Sequence, residues 1–133
     1  GDIVSERAHH YGWTPVKNGF ATMKILPDPN EPDKDMFDGG REVWEGKAEH
    51  FELRNLVPGR DAHLVVRSAP DHEATVRVLV DGNEVIRSRF VPAGGFVERP
   101  LRIPGAAVRE RITVTLENDG PGMFTDYHVY ITQ

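Results

Sequence analysis

The chain has 133 residues, with 16 lysines and arginines against 21 aspartates and glutamates, a net charge of −5 and no cysteine. That length suits one domain able to bury roughly two-thirds of its unfolded surface, and the lack of cysteine excludes both a disulfide framework and thiolate chemistry. The acidic balance argues against nucleic acid as a partner, no run approaches the roughly 20 apolar residues of a membrane-inserted helix, and no signal-peptide pattern is present.

Taken in chain order, the dominant period is two. Strand-like runs fall at about 3–11, 19–26, 42–45, 48–56, 61–68, 73–80, 84–90, 96–103, 111–117 and 124–132, and merging leaves eight or nine strands. "EHFELRNL" places Phe51 and Leu53 on one side, and "HLVVRS" does the same with Leu64 and Val66. In "EATVRVLV", Ala74, Val76, Val78 and Val80 oppose Thr75, Arg77 and Leu79. "RITVTLEN" turns Ile112, Val114 and Leu116 inward. Such alternation with β-branched enrichment predicts half-buried strands. No window sustains the helical spacing i, i+3, i+4. Asp81-Gly82 supplies the positive φ angles of a tight hairpin. Pro58-Gly59 and "NDGPG" mark further turns, and "PGAAVRE" suits one helical turn. The spacing predicts an all-β, antiparallel two-sheet sandwich or a barrel. The abrupt start at Gly1 and the strand-like end lead us to expect a single domain, 1–133, excised from a larger protein. One stretch stands apart: "LPDPNEPDKDMFDGGRE", about 27–42, has three prolines, six acids and no apolar period. It predicts a long loop, of a length that goes with either function or mobility.

The middle of the chain resembles a known layout. "FELRNLVPG" leads into "HLVVRS", then a "VRVLVDGNEV" hairpin, then "LRIPGAAV" and "RITVTLEN", and "TDYHVYI" closes with aromatics. Over about residues 43–132 this resembles the galactose-binding-like jelly rolls found as carbohydrate-binding modules and accessory domains of bacterial secreted enzymes. The resemblance implies a jelly roll, an export route to the medium or cell envelope, and glycan as a partner. It assigns no binding residue. It also raises the prospect of a structural calcium ion.

Candidate sites follow from residue chemistry. The last strand splits into Tyr127, Val129 and Ile131, expected in the core, and Phe124, Asp126, His128 and Tyr130, expected to face out. A sugar needs an aromatic face against its ring and planar polar groups for its hydroxyls, and the second set offers both. Arg87 and Arg89 share a strand face with Val85 and could fork an acidic sugar, or pair with an acid such as Glu98. In the acidic segment, Asp33, Asp35 and Asp38 are hard oxygen donors of the kind calcium prefers, without the pattern of an EF-hand. His9 could join His128 or His50 across strands in a zinc or copper site, against the simpler alternative of scattered surface histidines. No nucleophile elbow, phosphate loop or zinc-protease helix is present. A paired-acid hydrolase would have to draw its carboxylates from separate strands. The expected function is a non-catalytic carbohydrate-binding or accessory module of an exported protein. The alternative is an interaction domain packing on a neighbouring domain. Exposure of Trp13 and Trp44 discriminates between them.

Overall fold

Period-two alternation builds strands throughout the computed structural model, which describes residues 12–13, 21–27 and 35–133, with side chains from Gly40 onward. The strands are β1 (Gly12–Trp13), β2 (Ala21–Pro27), β3 (Asp35–Trp44), β4 (Ala48–Leu53), β5 (Ala62–Ser68), β6 (Ala74–Val80), β7 (Asn83–Phe90), β8 (Val97–Ile103), β9 (Ile112–Asn118) and β10 (Met123–Thr132). One sheet has the order β1-β4-β9-β6-β7, the other β2-β3-β10-β5-β8. Every pairing is antiparallel. Sequential strands largely alternate between the sheets, as in a jelly roll. The only helical turn among the described residues is Gly105–Ala107, inside the predicted "PGAAVRE". No helix among the described residues is long and apolar enough to cross a membrane.

The predicted turns have clear causes. Asp81 and Gly82 both take positive φ, 48° and 82°, closing β6 onto β7 as the Asp-Gly pair requires. The Asp81 carboxylate also accepts the Thr113 amide at 2.9 Å, tying the hairpin to β9. At Gly105, a Cβ would lie inside van der Waals contact with the Gly59 carbonyl, so only glycine permits this approach. Asp61 accepts the Gly105 amide at 2.7 Å.

The expected 27–42 loop is corrected. Residues 35–42 belong to β3, which pairs with β2 from Ala21↔Arg41 to Pro27↔Asp35. Acids and glycines obscured the strand, because β3 carries no apolar alternation in this half.

The core lies between the sheets. Phe51 and Leu53 of β4, Val78 of β6 and Leu116 of β9 share one buried cluster with Leu64 and Val66 of β5. β10 seals the second sheet with a break in parity. Asp126 pairs with Ser68 and His128 with Arg67, so two steps on β10 match one on β5. Tyr127 is the extra residue of this bulge. A one-residue insertion exchanges the faces of a strand. Before the bulge, Phe124 is in the core; after it, Val129 and Ile131 are.

Candidate functional site

The bulge decides what the last strand shows to solvent. Phe124 is 1% exposed and packs its ring 4.9 Å from Phe90 inside the core. Asp126 is 1% exposed and faces the same interior. His128 and Tyr130 lie beyond the bulge and alternate with buried Val129 and Ile131, which puts them on the outer face. The expectation of one outward set is therefore corrected: Phe124 and Asp126 point in, and His128 and Tyr130 point out. Tyr127 is buried as expected, but outside the inter-sheet core. Its ring meets Phe96 edge-on at 5.0 Å and 83°. It rests over Gly40, where a Cβ would come within 2.7 Å of the ring and 2.9 Å of the Asp126 carbonyl oxygen.

A connected polar array lies on this outer face. The Tyr130 hydroxyl donates to Glu98 Oε2 at 2.9 Å. Arg67 donates to Glu98 Oε1 through Nη2 at 2.8 Å and Nε at 3.1 Å. Arg67 also stands 6.0 Å from the centre of the Phe96 ring, and His128 lies 6.1 Å from the Tyr130 ring. Partial burial pushes the Glu98 carboxyl up, but the hydrogen bonds from Tyr130 and Arg67 outweigh it and hold the group below its ordinary range. Glu98 therefore stays a charged acceptor, with Tyr130 and Arg67 oriented around it.

Trp44 belongs to the same face. Val43 pairs with Phe124, both in the core, so Trp44, opposite Met123, turns outward. It is 47% exposed at the end of β3, where Gly46 takes φ 67° and the Lys47 amide returns to the Trp44 carbonyl at 2.9 Å. Along β10, Trp44 and Tyr130 stand roughly 20 Å apart at the usual strand rise. Arg67, Phe96 and Glu98 were missed by sequence reasoning as members of this face. Their outward parity was visible in β5 and β8, but the pairing of those strands was not.

Arg87 and Arg89 lie elsewhere. β7 is an edge strand of the first sheet, whereas β10 is central in the second. Arg87 is paired with Glu84 and Asp119, and Arg89 with Glu73. Neither meets Glu98, which is engaged on the other sheet. The six expected ligand residues are thus split among two sheets and the interior. His50, 2.8 Å from Thr115 Oγ1, lies on the outer face of the first sheet and His128 on that of the second, so these two do not share a site. His9 lies outside the described residues, as does Asp33. Asp35 and Asp38 fall in β3, paired with Pro27 and Lys24. Among the described residues, no three histidine, aspartate or glutamate side chains are placed to hold a metal ion.

No protein-family model matches this chain, and no curated protein matches it. Solved structures do. A CBM35 module from Paenibacillus barcinonensis superimposes with a TM-score of 0.59 at 11% identity, over 92% of this chain and 98% of that one. A CBM36 module, solved in complex with calcium and xylotriose, gives 0.55 at 10% identity, over 94% and 96%. A family GH115 4-O-methyl-α-glucuronidase with specificity for decorated arabinogalactans gives 0.61 at 18% identity. This chain spans 16% of that enzyme and matches it over 88% of its own length. The sheet order, the strand pairings and these superpositions agree: the chain is a jelly-roll domain with the fold of carbohydrate-binding modules.

Proposed function

We propose that this domain is a non-catalytic carbohydrate-binding module of a larger, exported protein, and that it binds glycan on the outer face of its second sheet. One observation carries the reading: Trp44 is 47% exposed on the face that also presents Tyr130 and its hydrogen-bonded Glu98. A half-exposed indole offers an apolar plane to a sugar ring, and a charged acceptor beside oriented donors suits hydroxyl groups. Trp44, Arg67, Glu98, His128 and Tyr130 are the proposed contacts. The modules that match nearly their whole length are not hydrolases by name, which supports a binding role here. Each contact on an open face is weak, and attachment to a neighbouring domain would supply effective concentration. Calcium is part of the proposal only through Asp33, Asp35 and Asp38. Among the described residues no three carboxylates or histidines are grouped to hold an ion, and Asp33 lies outside them.

The test is affinity electrophoresis through gels cast with plant, algal and bacterial polysaccharides, with and without calcium. Retardation by one polymer, lost in Trp44→Ala and Tyr130→Ala while thermal unfolding is retained, supports the reading. Retardation that needs calcium and is lost in Asp35→Asn supports the ion. No retardation by any polymer overturns the proposal and leaves an interaction domain.

A further inference from the structure

Glu49 and Asp126 meet between the sheets. Glu49 comes from β4 of the first sheet and Asp126 from β10 of the second, and they are 0% and 1% exposed. None of their four carboxyl oxygens makes a hydrogen bond of ordinary geometry among the described residues, though the His128 amide lies close enough to favour the charged form of Asp126. Among the described residues, one cation stands beside them: Arg41 of β3, with Nε 3.9 Å from Glu49 Oε2. Among the described residues, the charged side chains acting on each carboxyl are the other carboxyl and Arg41.

The charge count is uneven. With both acids ionised, two negative charges face one positive charge in a buried site, and two acceptors face each other without a proton between them. A single proton removes both problems. It brings the cluster to neutrality, and the O–H of one carboxyl then donates to the other. We propose that Glu49 and Asp126 share one proton at neutral pH and form a pH-sensitive clasp that holds the two sheets together at the β10 bulge.

Burial pushes both carboxyls up, Asp126 well above its ordinary 3.8, with Glu49 adding to the rise and Arg41 offsetting part of it. A raised folded value means that the stabilisation is complete below the unfolded value. It is lost as pH rises through the folded one. Exposed carboxylates such as Glu73 and Glu84, lowered by arginine hydrogen bonds, act in the opposite sense and weaken the fold as pH falls. The clasp thus creates a separate alkaline limb. It sits next to Tyr127, the residue that turns His128 and Tyr130 outward. An effect on sugar binding rests on the function proposed above; the effect on stability does not.

Thermal unfolding of the intact domain from about pH 4 to pH 9 tests this. Wild type should lose about 5 °C in Tm for each pH unit between the unfolded and folded titrations. Asp126→Asn and Glu49→Gln should lack that limb and keep the acid one. Infrared spectra of the wild type at neutral pH should show a protonated, buried carboxyl band that either variant removes. The clasp is refuted by a wild type with no alkaline limb, by a limb unchanged in both variants, or by the absence of the band. It is also refuted if added calcium raises the wild-type Tm but not that of Asp126→Asn, which would make the pair metal ligands. If the limb is present and no polymer is bound, the clasp stands and the sugar-binding reading falls.

Discussion

Replacing Phe124 and Tyr130 one at a time separates two descriptions of the last strand. Strict alternation makes these residues equivalent, since both are even-numbered. The bulge at Tyr127 makes them opposite. Phe124 is 1% exposed and in contact with Phe90. A phenylalanine buries 150–250 Å², worth about 4–6 kcal/mol at 25 cal/mol/Å². A compact unfolded state lowers that to about 3–5 kcal/mol, the usual cost of Phe→Ala in a core. For 133 residues at about 2.1 cal/mol/K each, the unfolding entropy is about 0.28 kcal/mol/K, so Tm should fall by about 10–18 °C. Tyr130→Ala removes a partly exposed ring and one hydrogen bond to Glu98. The bond and the partly buried ring together should cost about 1–2 kcal/mol, or about 4–7 °C. Differential scanning fluorimetry resolves the contrast, with circular dichroism confirming that each variant folds. A Phe124→Ala loss below about 1 kcal/mol, or a Tyr130→Ala loss equal to it, refutes the placement of the bulge.

Gly40→Ala should destabilise by about 1–3 kcal/mol, because the added methyl meets both the Tyr127 ring and the Asp126 carbonyl, and the carbonyl cannot rotate away. Urea unfolding checks it; an unchanged midpoint refutes the close approach. Arg87→Ala and Arg89→Ala, alone or together, should leave polysaccharide retardation unchanged, since both sit on the first sheet in ion pairs with acids. Stability should move little, as for other exposed pairs. Loss of retardation in either variant would move the binding face to that sheet.

Much of the molecule was legible in its residues. The alternation in "ATVRVLV" and "ITVTLEN" marked β6 and β9 and their buried sides, because one face of each strand must be apolar to be covered. Asp81-Gly82 determined a hairpin, because few residue pairs accept two positive φ angles. The candidate site was only half legible. Trp44, His128 and Tyr130 could be singled out by type, but Arg67 and Glu98 become partners only once β5 pairs with β8. The one-residue bulge left no local mark. "FTDYHVY" reads as uniform alternation, and the extra residue exists only relative to β5. The acidity of Asp126 was plain, but its burial opposite Glu49 required two sheets to close on each other. Local sequence determined strands, turns and most inward faces, because these follow from backbone sterics and the cost of wetting apolar side chains. The tertiary structure alone decided register, and with it which polar groups meet, because register is a property of two strands at once.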